Sequence, residues 1–177
     1  ERGVSAPMEE IARRACVSKQ TIYNHYGSKA ELVRAVADRR VHEITAPLEA
    51  PEAMEHPAEA LAAFAREMLG ALTRPRAAAF MRMAILSAAD MPEVAQAWYE
   101  AGPRASRRKL ADFLRMETDA GRLSIVDPLE AAEFFAGMAI GSYQTAALLG
   151  VARPLSEARI EAIAAEAAAR FMRAYAV

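Results

Sequence analysis

The residues best suited to chemistry lie in a short polar segment near the start of the chain. Lys19, Gln20, Tyr23 and Asn24 follow the i, i+1, i+4, i+5 spacing that puts side chains on one side of a helix. A lysine and a tyrosine hydroxyl can bind phosphate, and the amides of Gln20 and Asn24 carry the paired donor and acceptor that match adenine edges in a major groove. The pattern therefore predicts a helix face that reads duplex DNA.

Three short helices are needed to hold this face in place. Pro7 is typical of a first helical turn, and Ser18 is a natural N-cap for the second helix. Ser28 and Glu31 have the spacing of a capping box, which predicts that a third helix begins there and runs to about Ala46. This order of helices predicts a helix-turn-helix unit.

A family resemblance extends across this unit. Residues 11–36 read IARRACVSKQTIYNHYGSKAELVRAV, which closely resembles the DNA-binding region of the tetracycline-repressor (TetR-like) family of bacterial transcription regulators. The match is specific because it combines Val-Ser-Lys before Thr-Ile-Tyr with the following Tyr-Gly-Ser-Lys. The resemblance implies that the DNA-binding residues are Ser5, Ser18, Lys19, Gln20, Thr21, Tyr23, Asn24, His25 and Lys29.

The chain departs from the family pattern at two positions. Cys16 stands in the turn where the family usually has glycine, and we expect it to adopt a positive φ at a cost of roughly 1 kcal/mol. The family often has Thr or Ser just before its second helix, where this chain has Ala6 and Pro7, and we expect Ser5 to make that phosphate contact instead. The chain begins at what looks like the end of the family's first helix, so we expect that helix to be largely missing.

Composition predicts an all-α protein. The chain has 177 residues, 54% of them apolar, and no alternating pattern typical of a strand. Residues 1–46 carry eight Lys or Arg and six Asp or Glu (+2), and the remainder carries fourteen and seventeen (−3), which sum to −1. This weak basic bias favours a reader with a few placed contacts over an electrostatic clamp. A single cysteine cannot form an internal disulfide, so nothing in the sequence indicates an oxidising compartment. We expect a cytoplasmic protein.

Three prolines between residues 47 and 57 mark a predicted domain boundary. We expect a helix-turn-helix DNA-binding domain over residues 1–46, a linker over 47–57, and a helical effector-binding and dimerisation domain over 58–177. Within this last domain, Gly102 and Pro103 predict a kink or a break, and Asp127 predicts a helix start. We expect that helix to run to Gly150 as its C-cap.

Residues 134–152 contain no charged side chain. They reach roughly 28 Å, barely the hydrocarbon thickness, and polar and glycine residues interrupt them, so we expect no membrane span. Small residues here and on the last helix allow either tight packing within one subunit or a four-helix dimer seam, which is how TetR-like proteins usually pair. We favour the seam, with interface residues Gly137, Gly141, Ala164, Ala168 and Phe171.

Aromatic and methionine residues are frequent in the middle helices, where ordinary core packing is the default interpretation. In TetR-like proteins these helices enclose an effector pocket, so the resemblance implies that some of these residues line a mostly apolar cavity. The candidates are Met68, Phe80, Met83, Trp98, Tyr99, Phe113, Met116, Phe134, Phe135, Met138 and Tyr143.

The resemblance implies a ligand-responsive regulator, a homodimer that binds a near-palindromic double-stranded DNA operator and is released by a small, mostly apolar or aromatic effector. The run Trp98–Pro103 is similar to the regulatory domain of some family members. The histidines lack metal-ligand spacing, so we expect no metal, no cofactor and no enzyme activity. The alternative is a helical protein–protein interaction module without DNA binding.

Overall fold

The computed structural model describes residues 7–86 and 88–177 as an assembly of α-helices. The helices are α1 (Met8–Arg14), α2 (Lys19–Tyr26), α3 (Lys29–Thr45), α4 (Pro57–Thr73), α5 (Pro75–Leu86), α6 (Pro92–Tyr99), α7 (Ala105–Asp119), α8 (Pro128–Ile140), α9 (Tyr143–Leu149) and α10 (Glu157–Tyr175). Within these ranges the β-type pairing is limited to an isolated antiparallel bridge between Leu123 and Ala176, so the all-α prediction is confirmed. No helix in the described ranges combines the length and the apolar character needed to cross a membrane.

Side-chain caps fix the starts of α2 and α3. Ser18 Oγ accepts a hydrogen bond from the backbone N–H of Thr21 at 3.0 Å, and Ser28 Oγ accepts one from the N–H of Glu31 at 3.1 Å. Each serine satisfies an N–H group that has no partner within its own helix. The predicted starts of both helices are therefore confirmed.

The turn between α1 and α2 contains Cys16, which adopts a φ of 56°. A side chain at positive φ crowds its own backbone, which is why glycine is favoured there. The expected positive φ is confirmed, and the Cys16 side chain is exposed to solvent.

The helix predicted from Asp127 begins where expected but is interrupted. Asp127 Oδ1 accepts hydrogen bonds from the N–H groups of Leu129 and Glu130 at 2.9 and 3.0 Å. The prediction of one helix to Gly150 is wrong, because Gly141 has φ 48° and ψ −135° and separates α8 from α9. Apolar periodicity continues across both helices, so it could not reveal a break made by one backbone conformation.

The chain stays helical through Gly102 and Pro103, where a kink or a break was expected. A π-helical segment, Glu100–Arg104, joins α6 to α7 and packs on α3. In an α-helix a proline ring clashes with the carbonyl four residues earlier, and the wider π turn accommodates Pro103. The segment thus keeps α6 and α7 continuous.

The main core lies among α4, α7, α8 and α10. Phe64, Phe135 and Phe171 are fully buried in it, and the Phe135 and Phe171 rings meet edge to face with centroids 5.3 Å apart. Leu48 and Ala53, from the segment predicted as a linker, are buried against this core. That segment is therefore packed onto the helices that follow it.

A smaller core supports the first two helices. It consists of the buried residues Met8, Ala12 and Ile22, with neighbouring partly buried side chains around them. The next helix, α3, leaves this cluster and packs through Val33 against Val94 of α6. Helix α3 thus connects the small core to the larger body of the molecule.

Candidate DNA-binding face and effector cavity

Helix α2 presents almost its whole circumference to solvent. Ile22 is its one buried residue, and Lys19, Gln20, Tyr23 and Asn24 are exposed together on the opposite side. Gln20 Nε2 donates a hydrogen bond to Asn24 Oδ1 at 2.8 Å, so the two amides are held side by side one helical turn apart. The structure brings the predicted reading residues onto one accessible face.

Lys19 has a partner that the sequence pattern does not reveal. Its ammonium forms an ion pair with Glu9 of α1 and lies 5.5 Å from the centroid of the Tyr23 ring. The hydrogen bond to Glu9 raises the pKa of Lys19, and the same hydrogen bond lowers the pKa of Glu9. A DNA phosphate would therefore have to compete with Glu9 for this lysine.

The other predicted DNA-binding residues surround this face. Ser18 and Thr21 share a hydrogen bond between their hydroxyls at 2.8 Å, and His25 is exposed at the end of α2. Lys29 lies in the first turn of α3 and is partly buried. Ser5 lies outside the described residues.

A cavity of about 260 Å³ lies behind α3. Its apolar wall includes Val41 and Ile44 of α3, together with Met68, Phe80 and Trp98. Four residues on the wall are polar: Arg40, Ser106, Arg107 and Gln144. A space of this size and character suits a small ligand that has an apolar body and at least one polar group.

Three of the residues predicted to line a cavity do line this one, namely Met68, Phe80 and Trp98. The structure does not bring the others to it. Phe113 and Phe135 are buried in the main core, and Met83 packs beside Val33 and Val94. Tyr99 faces a neighbouring polar cleft. The remaining candidates lie on the outside or are partly buried in α9, and they are Met116, Phe134, Met138 and Tyr143.

Sequence reasoning missed the contribution of α3 and all four polar residues on the wall. One signal for α3 was present, since apolar residues continue along it at Val33, Val36, Val41 and Ile44. Such a stripe is longer than a three-helix unit needs to cover. Ser106 begins a Ser-x-x-Lys pattern, Ser106 to Lys109, that the sequence predicts to be a solvated helical turn, whereas the structure buries Ser106 on the face of α7 that meets the cavity.

The polar end of the cavity lies on α7. Ser106 Oγ and Arg107 Nε are buried and have no hydrogen-bond partner in the described part of the chain. Arg107 Nε lies 3.5 Å from Glu133 Oε2, and Arg107 Nη1 lies 3.7 Å from Met68 Sδ. Burial lowers the pKa of Arg107, and the nearby Glu133 carboxylate opposes that change.

The residues predicted for a dimer seam fall into two groups. Ala164, Ala168 and Phe171 are buried inside the single chain, so their side chains present no surface to a second copy. Gly137 and Gly141 are exposed on the outside of α8 and at its end. Among the described residues, no three His, Cys, Asp or Glu side chains converge as a metal site would require.

Two family models together match most of the chain. Residues 1–36 match the model of bacterial regulatory proteins of the tetR family, and residues 59–177 match the C-terminal domain of AefR-like transcriptional repressors. No curated protein matches the chain significantly.

Solved structures share the whole fold. A protein assigned to the TetR family from Mesorhizobium loti MAFF303099 superposes with a TM-score of 0.83 at 27% identity, covering 97% of this chain and 87% of that one. The flavonoid-responsive regulator FrrA gives 0.75 at 31% identity, with 98% and 89% covered. A TetR-family regulator from Pseudomonas syringae pv. tomato DC3000 gives 0.67 at 26% identity, with 100% and 90% covered.

Proposed function

The chain belongs to the TetR family of bacterial transcriptional regulators, and from that premise we propose that it is a repressor whose homodimer binds a near-palindromic operator and is released by a small effector. The observation that carries this proposal is the course of α3. Two residues separate this helix from the exposed DNA-reading helix α2, and farther along it forms one wall of the cavity. A cytoplasmic location, with access to operator DNA, is part of the same proposal.

The exposed face of α2 supports binding in a major groove. Gln20 and Asn24 offer amides to base edges, while Lys19 and Tyr23 offer donors to phosphates. A symmetric dimer would place two such helices about 34–36 Å apart, one turn of DNA, and the operator would then consist of two inverted half-sites.

The position of α3 supports coupling between the two sites. Its first turn, at Lys29, follows the reading helix directly, and Arg40, Val41 and Ile44 face the cavity. A ligand that packs against these residues favours one placement of α3, and the reading helix moves with it. Release requires that the ligand bind the placement that does not fit the operator more tightly than the one that does.

The cavity wall supports an aromatic effector. Phe80 and Trp98 provide flat apolar surfaces, and Met68 provides a flexible side chain that adapts to ligand shape. FrrA, which shares the fold, is a flavonoid-responsive regulator. By analogy, a small aromatic compound is the class of effector that we propose for this chain.

The outer faces of α8 and α10 support a homodimer. Phe134, Gly137 and Met138 lie exposed in one row on α8, and Ala162 and Ala165 are exposed on α10. An exposed apolar row with a glycine at its centre allows two helices to approach closely. This face of α8, and not the buried side chains of α10, is where we place the seam.

Selection of DNA fragments bound by the protein, followed by affinity measurements on the recovered motif, tests the DNA-binding part of the proposal. We expect one symmetric motif, and Gln20→Ala should lose about 1–3 kcal/mol of operator affinity and relax base preference at one position in each half-site. Gln96→Ala, an exposed glutamine on α6, is the matched control and should bind like the parent.

The competing function, a helical interaction module without DNA binding, predicts a different result. In that case no motif is recovered, and Lys19→Ala and Tyr23→Ala leave function unchanged. Non-specific DNA binding that is lost at moderate salt would also contradict the operator proposal.

A further inference from the structure

We propose that the effector is an amphiphilic aromatic acid, whose apolar body packs against Phe80 and Trp98 while its anionic group is bound by Arg107 and Ser106. This inference rests on the proposed function and narrows its ligand class from aromatic compounds in general to those that carry a carboxylate or a comparable acidic group.

The charged side chains on the cavity wall are all positive among the described residues. Arg40 and Arg107 both line the cavity, and no Asp or Glu is among the described residues that do. Glu133 pairs with Arg107 at 3.5 Å from outside the cavity wall, so the wall itself presents two guanidinium groups and no carboxylate among its described residues. An anionic ligand balances this positive charge, and the low dielectric of the surroundings strengthens the attraction.

Ser106 has an unused hydrogen-bonding group at this site. The residue is 4% exposed, yet its Oγ has no partner in the described part of the chain. Two other helical hydroxyls donate to the carbonyl four residues earlier, Thr45 to Val41 and Thr118 to Leu114, both at 2.9 Å. The equivalent carbonyl for Ser106 belongs to Gly102, within the π-helical segment, and this bond is not made. The hydroxyl is therefore available to a ligand in the cavity.

The guanidinium of Arg107 has fewer hydrogen-bond acceptors around it than that of Arg122. The Arg107 side chain is 13% exposed, and it forms an ion pair with Glu133, whose Oε2 lies 3.5 Å from Nε without accepting a hydrogen bond from it. Arg122, by contrast, donates to both oxygens of Glu117 at 2.7 and 3.0 Å. A guanidinium retains its charge even when burial lowers its pKa, and its planar fork fits a carboxylate. The donors of Arg107 are thus suited to a ligand that supplies the carboxylate.

The positions of these groups also suggest how an acidic ligand could move the DNA-reading helix α2. Ser106 and Arg107 lie on α7, whereas Arg40 lies on α3. An anion that attracts both arginines would draw α3 toward α7, and α3 is the helix that follows the DNA-reading helix. Charge recognition and release of DNA would then depend on the same bound group.

Fluorescence of Trp98, the single tryptophan and a residue of the cavity wall, tests this inference directly. The full chain is titrated with matched pairs of probes: cinnamate and cinnamamide, 3-phenylpropionate and 3-phenylpropanamide, salicylate and salicylamide. We expect the acids to change Trp98 emission at lower concentration than their amides, by about tenfold or more.

Variants assign the effect to named groups. Arg107→Met should remove about tenfold or more of the acid affinity and leave the amide affinity nearly unchanged, and Arg107→Lys should restore part of the loss. Arg108→Met is the matched control, because Arg108 is the next residue, is exposed and does not line the cavity. Ser106→Ala should weaken acid binding by about threefold. Circular dichroism checks that each variant keeps its helices.

The outcomes separate this inference from the proposed function. Amides that bind as tightly as acids overturn it, as does equal weakening by Arg107→Met and Arg108→Met or a lack of any response to the acids at millimolar concentration. If amides release the operator and acids do not, the proposed function stands and the acid inference fails. If acids bind through Arg107 but leave operator binding unchanged, the acid site stands and the effector-release part of the proposed function fails.

Discussion

The reading helix and the cavity wall use side chains in opposite ways. Helix α2 buries Ile22 and turns its polar residues outward, whereas the cavity turns apolar residues inward and keeps a few polar groups among them. The reading residues are neighbours in sequence, but the wall is assembled from residues between 36 and 144. DNA recognition therefore depends on the periodicity of one helix, whereas ligand binding depends on how several helices pack together.

The two regions also differ in what supports them. The buried residues below α2 are Met8, Ala12 and Ile22, while the main core runs continuously through α4, α7, α8 and α10. We call α1 and α2 the reader, and α4 to α10 the body. Local stability increases with buried apolar contact, so we expect the reader to unfold locally more readily than the body. A local loss of the reader should be possible while the cavity remains folded.

The largest expected effect lies in the body. Phe135→Ala removes a fully buried ring that contacts Phe64 and Phe171, and it should lower the free energy of unfolding by about 3–5 kcal/mol. Urea denaturation followed by circular dichroism at one fixed protein concentration measures this loss.

The neighbouring residue is the control for this prediction. Phe134 is 56% exposed on the outer face of α8, so Phe134→Ala should change monomer stability by less than about 1 kcal/mol. If Phe134 belongs to the dimer seam, analytical ultracentrifugation should show weaker self-association for this variant. Equal destabilisation by the two substitutions would contradict the placement of the core.

The next effect should remain within the reader. Ile22→Ala takes away the one buried side chain of α2, which should cost the small core about 2–4 kcal/mol and abolish operator binding. Because the cavity does not use Ile22, Trp98 emission and its response to ligand should be unchanged. Hydrogen exchange should show loss of protection confined to α1 and α2, with Val17→Ala, an exposed position, as the control. Loss of the Trp98 response would show that reader and body unfold together.

The same contrast explains what the sequence could predict. The caps at Ser18, Ser28 and Asp127 depend on residues within a few positions of each other, and all three helix starts were predicted correctly. The break at Gly141 was missed because glycine also occurs within helices, and the sequence does not show which glycine adopts a positive φ. The cavity wall was largely missed because an apolar residue on a helix has the same pattern whether it faces a core, a ligand or a second subunit.

A smaller effect concerns the turn that carries the reader. Cys16 adopts a φ of 56°, a conformation that glycine enters without a steric cost. Cys16→Gly should stabilise the reader by about 0.5–1 kcal/mol, since relief of strain exceeds the added freedom of the unfolded chain. Hydrogen exchange of α1 and α2 measures the gain, and Cys16→Ser, which keeps the side chain at positive φ, should show none. A destabilised glycine variant would show that Cys16 makes a contact worth more than its strain.

The smallest effect concerns the ion pair between Lys19 and Glu9, which lies on the exposed side of the reader. Both groups are well solvated, so the pair adds little to stability, but it gives Lys19 a partner in the free protein. Glu9→Gln should free Lys19 for phosphate and strengthen operator binding by about twofold, an increase that higher salt reduces. Glu10→Gln changes the net charge equally but leaves the Lys19 contact intact, because Glu10 pairs with Arg13 and Arg14.

The directions of the pKa shifts indicate the pH range over which the two variants should differ in operator affinity. The pKa of Glu9 is lowered and that of Lys19 is raised by their shared hydrogen bond, so both groups stay charged between about pH 6 and about pH 9. The pair is lost only as pH falls through the lowered pKa of Glu9 or rises through the raised pKa of Lys19. The ratio of operator affinities between Glu9→Gln and Glu10→Gln should therefore remain constant over that range in fluorescence anisotropy titrations. A ratio of one throughout would mean that Lys19 does not exchange Glu9 for a phosphate, and that the reading face relies on Gln20, Tyr23 and Asn24 instead.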